Sequence, residues 1–320
     1  MSRLNLLLPV GVVIVAALSV ASGKVWVPLD AWTAADPRSI IMVELRLPRT
    51  VLALLVGAAL GLSGAVMQGY LRNPLADPGL FGVSSGAALG AVLALYFGYA
   101  AQLWLLPCFA LLGAAGTMAL LAVIAGRSGS LILFTLAGMI LTSITGSLTS
   151  LAISLAPTPF VSSQIVTWLL GALTDRSWDD VKVALPLIVI GAALLATTAR
   201  ALDALTLGEQ AARSMGVDPG RLQYVVIAGI ALTVGASVAS AGVIGFVGLM
   251  VPHLVRPLAG NRPSAILLPS ALGGALLLTL ADSLVRLAPT VSELRLGIAM
   301  SMLGGPFFMY LLFRMRRRLA

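Results

Sequence analysis

Charged residues are scarce in this chain, so the few that could do chemistry stand out. The densest group is Leu202–Leu222, which carries Asp203, Glu209, Arg213, Asp218 and Arg221 between two long apolar runs. A charge at mid-bilayer costs about 3 kcal/mol or more, so a membrane chain places such a stretch in water. Its spacing reads as structured. Thr206-Leu207-Gly208-Glu209 fits a capping box, in which hydroxyl and carboxylate each satisfy a free amide at a helix start. Glu209 and Arg213 lie four apart in the acid-first order that favours pairing on a helix. Gly216 suits a left-handed helix end, and Asp218-Pro219 an N-cap followed by proline at the first helical position. These signals predict two short helices with a glycine hinge on a membrane surface. A plain solvated loop would not need caps at both ends, whereas a surface gripped by a partner would.

Other constellations are thinner. Arg46-Leu47-Pro48-Arg49 sets two guanidiniums on a proline-stiffened edge before an apolar run. They read either as snorkelling anchors or as a basic clamp for an acidic partner. Met67-Gln68, Asn73-Pro74-Leu75 and Pro252-His253 bring polar groups and prolines to the ends of apolar runs. Irregular backbone at membrane depth is tolerated where it lines a cavity, and capping is the competing explanation. Gly82-Val83-Ser84-Ser85-Gly86 matches the G-x-S-x-G nucleophile pattern. That chemistry needs a base within hydrogen-bond reach, and the one histidine, His253, lies far along the chain, so a helix-packing seam explains the serines more simply. The sequence holds no G-x-x-x-x-G-K followed by Ser or Thr, no H-E-x-x-H, and one cysteine, Cys108. A phosphate-binding loop, a zinc protease site and an intrachain disulfide are thereby excluded. Intramembrane carboxylates are few, with Asp282 the clearest, which argues against a proton- or sodium-coupled carrier.

The elements that hold these residues must be membrane helices. The 320 residues are 59% hydrophobic and 10% charged, against about 25% charged in soluble proteins. Apolar runs predict ten spans, near 4–22, 50–70, 83–98, 103–125, 131–155, 183–200, 224–242, 243–258, 264–287 and 297–313, in a single domain over 1–320. The first run is longer than a secretory core and reads as an uncleaved span. Residues 161–173 are amphipathic and too short to span, so they read as an interfacial or re-entrant helix. The net charge of +8 belongs to span ends rather than to nucleic-acid binding. Ten spans put both termini on one face with Arg3, Arg127 and the cluster Arg314, Arg316, Arg317 and Arg318, which makes that face cytoplasmic. Lys24, Arg38, Arg46, Arg49, Arg176, Lys182, Arg286 and Arg295 then fall outside and ask for another reason. Gly57-x-x-x-Gly61, Gly82-x-x-x-Gly86 and Gly86-x-x-x-Gly90 are helix-packing faces. Arg72-Asn73-Pro74-Leu75 leading to Ser85–Ala91 pairs with Arg256-Pro257-Leu258 leading to Ser270–Ala275, a spacing that predicts an internal duplication with a pathway between its halves.

Together these stretches resemble the FecCD family, the membrane subunits of type II ABC importers for iron chelates, heme and vitamin B12. The resemblance is carried by LRLPRT (45–50), GAALGLSGAVMQGYLRNPLADPGLFGVSSGAALGA (57–91), TLAGM (135–139), TWLLGAL (167–173), LGEQAARSMGV (207–217), GVIGFVGLMVPHLVRPLAG (242–260), LPSALGGALLLTLADSLVR (268–286) and ELRLGIAMSMLGGPFFMYLL (293–312). It implies an all-α integral membrane fold of ten transmembrane helices with an inverted repeat, forming a homodimer with the pathway on the dyad. It implies two separate ATPase subunits, which bind the ATP and Mg, and a periplasmic or lipid-anchored substrate-binding protein. The chain itself would bind no cofactor or metal and perform no catalysis, sitting in the lipid of the inner membrane and touching no nucleic acid. Leu207, Gly208, Glu209, Ala211, Arg213, Ser214, Gly216 and Val217 take the place of the ATPase-coupling helices. Arg46, Arg49 and Arg286 match basic positions that hold glutamates of the binding protein. Asn73 and Leu75 match the cytoplasmic gate, with Met67 and Gln68 beside it on the pathway; the helix at 161–173, with Trp168, matches the outer gate region. Arg295 departs from the family pattern and adds a docking charge or changes the polarity of the pathway. The implied cargo is heme or a ferric siderophore, with cobalamin as the alternative.

Overall fold

Proline, glycine and polar caps divide the apolar sequence into helices, and the described residues hold no strand. This computed structural model describes residues 4–23, 25, 27, 38–99, 102, 104–126, 130–289 and 293–319. Arg3, Lys24 and Arg127 of the orientation argument lie outside them, as do the side chains of Arg38, Arg317 and Arg318. The helices are α1 (Leu4–Ala21), α2 (Arg38–Ile40), α3 (Leu47–Tyr70), α4 (Val83–Tyr96), α5 (Leu105–Ala125), α6 (Leu131–Ser154), α7 (Pro159–Leu169), α8 (Trp178–Thr197), α9 (Ala199–Leu205), α10 (Glu209–Ser214), α11 (Pro219–Ala241), α12 (Val247–Ala259), α13 (Pro263–Leu287) and α14 (Leu296–Leu319). A π-helical turn, Ile41–Arg46, leads α2 into α3. Among the described residues seven segments are long and apolar enough to cross a membrane, while the apolar parts of α1, α4 and α12 are shorter. These ten helices fall on the ten apolar runs of the sequence. The eighth run starts late, because Gly242 (φ 70°) ends α11 and the backbone stays non-helical until Val247.

α3 is apolar and small-residue-rich all round, the pattern of a helix enclosed by others, and it is buried along most of its length. Without a hydrophobic force between helices in lipid, close backbone approach holds them together. Gly57 and Gly61 of α3 face the backbone of Gly274 and Ser270 of α13, and Gly64 faces Gly248 of α12. The α4–α5 crossing uses Gly86 and Gly90 against Gly113 and Phe109. α5, α6, α8 and α14 keep much of their apolar surface exposed, including Leu112, Val123, Ile132 and Met302, as lipid- or partner-facing helices do.

Helix lengths recur along the chain, but not at the predicted spacing. α3, α4, α5 and α6 have 24, 14, 21 and 24 residues; α11, α12, α13 and α14 have 23, 13, 25 and 24. The halves exchange partners: α3 packs on α12 and α13, and α11 packs on α4 and α5. α3 and α11 meet where Ser63 Oγ and Thr233 Oγ1 lie 2.8 Å apart. In this order of lengths α4 stands with α12, whereas Ser85 lies on α4 and Ser270 on α13. The expected pairing of Arg72 with Arg256 fails likewise, since Arg72 lies in a loop and Arg256 in the last turn of α12.

Candidate translocation pathway

α4 and α12 are each about 20 Å long, well short of a ~30 Å hydrocarbon core. Both begin at a left-handed residue, Gly82 (φ 87°) and Phe246 (φ 68°). The second is uncommon for a side-chain-bearing residue, and its ring is seated over Gly304 of α14. The irregular stretches before the two helices meet across one cavity of ≈ 300 Å³, lined by Asp77, Pro78, Gly79 and Ser84 from the first and by Val243–Phe246 and Gly248 from the second. Discontinuous helices facing each other within a repeat fold are where transporters build their pathways. Asp77 caps the short 3-10 turn Pro78–Phe81 through Gly79 N, 2.8 Å from Oδ1. Burial raises its pKa above the usual carboxylate range, against the lowering effect of that hydrogen bond.

Asn73 and Leu75 line a second pocket, ≈ 410 Å³, with Phe81, Leu131, Thr135 and Met139. Asn73 Oδ1 accepts from Leu75 N at 3.0 Å, which fixes the turn after α3. Met67 and Gln68 do not line it. Met67 is fully buried, and Gln68 bridges α3 to α12, donating to Leu249 O (3.2 Å) and accepting from Arg256 Nη2 (2.9 Å). Ser84, the nucleophile position of the G-x-S-x-G match, lines the first cavity, whose wall holds no histidine, and its neighbour Ser85 bonds to Thr145 Oγ1 (2.8 Å) and to the Gly82 carbonyl, as in a packing seam.

At the same end of the molecule, α9 and α10 form the surface expected of the 202–222 stretch. Asp203 accepts from Ser264 N (2.9 Å) and Oγ (2.6 Å), pinning α9 to the start of α13. Glu209 and Arg213 pair at 2.7 Å, Gly216 is left-handed (φ 87°), and Asp218 caps α11 at Gly220 N and Arg221 N. The capping box is not formed. Thr206 ends α9 and its hydroxyl donates back to Asp203 O, while Gly208 (φ 101°) starts α10. A glycine that can take φ > 0 turns the chain there more cheaply than a box would. The second predicted short helix is the start of α11. Ala212 is buried, Ala211 and Val217 are half-buried, and Arg213, Ser214, Leu207 and Met215 are exposed. Leu207 and Met215, 68% and 63% exposed on a charged surface, are what a partner interface leaves open in the free chain.

The arginines lie at the opposite end. Arg46, Arg49 and Arg286 come together there, but they are 6%, 9% and 4% exposed rather than free. Arg46 donates to Ala21 O (2.9 Å) and Val20 O (3.2 Å), closing the end of α1. Arg49 binds Asp282 and, through Nη1, Glu293 Oε2 at 2.9 Å; Arg286 Nε lies 3.1 Å from Asp282 Oδ2. A guanidinium out of water needs such partners, which sequence spacing alone does not reveal except for the i,i+4 pair Asp282–Arg286. Burial pushes Glu293 up, but Arg49, Thr174 Oγ1 (3.0 Å) and Arg286 outweigh it and hold its pKa below the usual range. Beside this cluster, α7 is capped by Thr158 and ends at Leu169, short of the expected residue 173, because Gly171 turns the chain (φ 65°). Gln164, Thr167 and Trp168 of α7, with Thr174, Arg176 and Arg295, line a third pocket of ≈ 350 Å³.

Residues 11–314 match the FecCD transport family. The chain belongs to that family. It is 37% identical to the Fe(3+) dicitrate transport system permease protein FecD of Escherichia coli (strain K12), over 94% of this chain and 95% of that protein. It is 39% identical to the vitamin B12 import system permease protein BtuC of Shigella boydii serotype 18, over 98% and 96%. Its fold matches a solved structure described as an inward-facing conformation of a putative metal-chelate type ABC transporter, with TM-score 0.87, 33% identity and coverage of 97% and 98%. As a FecCD-family member the chain is a multi-span ABC importer permease, a subunit that works with separate ATPases and a substrate-binding protein.

Proposed function

We propose that this FecCD-family chain carries an iron chelate, heme or a ferric siderophore, across the inner membrane, with vitamin B12 as the alternative cargo. The observation that carries the reading is the pair of broken-helix stretches before α4 and α12, whose residues Asp77–Gly79 and Val243–Phe246 face one another across a cavity. Ten spans, with α1, α4 and α12 among them, place both termini and the α9–α10 surface in the cytoplasm. Two copies form the pathway on their dyad, with Asn73 and Leu75 at its cytoplasmic gate and α7 with Trp168 at its outer gate. Two ATPase subunits bind ATP and Mg and press on Leu207–Val217; this chain contributes no catalytic residue. The binding protein docks at the opposite end, on a platform that Arg46, Arg49 and Arg286 brace and where Arg295 offers a charge. The test is reconstitution with its ATPase and binding protein, followed by ATP-dependent uptake of ferric dicitrate, hemin and cyanocobalamin. ATP-driven uptake of an iron chelate supports the reading, uptake of cyanocobalamin alone favours the alternative, and movement of none of the three refutes both.

A further inference from the structure

We infer that the pocket between α7 and the start of α14 is a binding site for an anionic chelate, one that presents carboxylates. The inference rests on the importer reading and narrows its substrate class. Two guanidiniums, Arg176 and Arg295, stand in the wall of this ≈ 350 Å³ pocket, with Ser163, Gln164, Thr167 and Thr174 as further polar groups and no carboxylate. Arg295 pairs with no carboxylate among the described residues. Arg176 meets Asp180 only at 3.4 Å, a long contact, and its Nε is buried without an acceptor. The indole Nε1 of Trp168 is also buried without a partner. The neighbouring acids are committed elsewhere. Asp180 closes the capping box of α8 with Ser177, and Glu293 takes Arg49 and Thr174.

A wall whose donors keep free capacity is complementary to a ligand with several acceptor oxygens, and guanidinium forks suit carboxylates in particular. A chelate without anionic groups would leave Arg295 unpaired and Arg176 with only its long contact to Asp180, so the same wall disfavours it. The experiment is equilibrium dialysis of radiolabelled citrate, then of ferric dicitrate, against the detergent-purified chain without its binding protein. Arg295→Gln and Arg176→Gln are compared with Lys182→Gln, an equal charge change at an exposed site on the same end. Expected is saturable binding, weakened tenfold or more by each arginine change and unaltered by Lys182→Gln. Trp168→Phe, which keeps the ring and removes the N–H, weakens it several-fold. Absence of saturable binding to the unaltered chain overturns the inference. So does equal loss in Lys182→Gln, or arginine changes that slow only association with the binding protein. ATP-driven uptake by the assembled complex, measured alongside, separates this failure from that of the importer reading: uptake can persist while citrate binding is absent.

Discussion

Arg49 of α3 grips both carboxylate oxygens of Asp282 on α13, with Nε 3.1 Å from each and Nη2 2.9 Å from Oδ1. The same carboxylate also faces Arg286, so one buried acid serves two buried bases. Removing one partner of a buried ion pair costs about 3–5 kcal/mol, because a charge is left without compensation. Asp282→Asn is expected to lower the thermal midpoint of the purified protein by several degrees. Asp282→Leu with Arg286→Met should recover part of the loss seen in Asp282→Leu alone, since Asp282 is the one carboxylate paired with Arg286 among the described residues. Equal midpoints for the unaltered protein and Asp282→Asn would show that the cluster is not a brace.

Glu293 adds a pH-dependent part to this brace. Its pKa in the folded chain lies below the ordinary glutamate value of about 4.3. Its contribution is therefore complete above that ordinary value and is lost as pH falls through the lowered one. Thermal midpoints taken from pH 6 down to the acid limit should drop more steeply for the unaltered protein than for Glu293→Gln. Parallel curves would remove Glu293 from the brace.

Much of this was legible in the sequence. Long apolar runs fix helices, and Asp218-Pro219 and Gly216 act where they stand, so the caps at 214–221 were read correctly. Thr206 was misread because a box motif does not reveal that Gly208 can turn the chain at φ 101°. The arginines were read as free because spacing shows a charge and not its partner 233 residues away, as between Arg49 and Asp282. The sequence carries Gly242, Gly245 and Gly248 around the break before α12, but its meeting with Asp77–Gly79 is a long-range relation that no local pattern encodes.

The helix crossings predict sharp position dependence. A methyl group added at Gly64 would sit 2.0 Å from Gly248 O and 2.5 Å from its Cα, all backbone that cannot rotate away. Overpacking of this kind costs about 1–3 kcal/mol or more. Gly116, on α5, has nothing within 4 Å. Gly64→Ala should reduce the yield of folded protein and its thermal midpoint, whereas Gly116→Ala should leave both unchanged. Similar behaviour of the two variants in a size-exclusion and melting comparison would contradict the crossing.

The turn that holds Asn73 and Leu75 predicts a contact between copies. Cysteine at 73 or 75 is expected to crosslink two subunits to an extent that changes when ATP is added to the assembled complex. Crosslinking that ignores nucleotide, or never forms, counts against a gate at this turn.

The α9–α10 surface should transmit the work of the ATPase, and its parts should matter unequally. The Glu209–Arg213 pair is solvent-exposed and, like other i,i+4 pairs, contributes only about 0.3–0.5 kcal/mol, so breaking it alone should change little. Gly216 is different: at φ 87° a β-branched side chain is strained, and the turn into α11 would have to move. Leu207 and Met215 present apolar surface to water in the free chain, which is favourable only once a partner covers it. Leu207→Asp and Met215→Asp should each reduce co-purification of the ATPase subunits, without altering the melting of the isolated chain. Gly216→Val combined with Glu209→Arg should keep the dimer and the ATPase bound but separate hydrolysis from uptake. The measurement is ATP hydrolysed per chelate imported in reconstituted vesicles, expected to rise at least several-fold. Normal uptake at a normal ratio in the double variant would place the coupling contact elsewhere on this face.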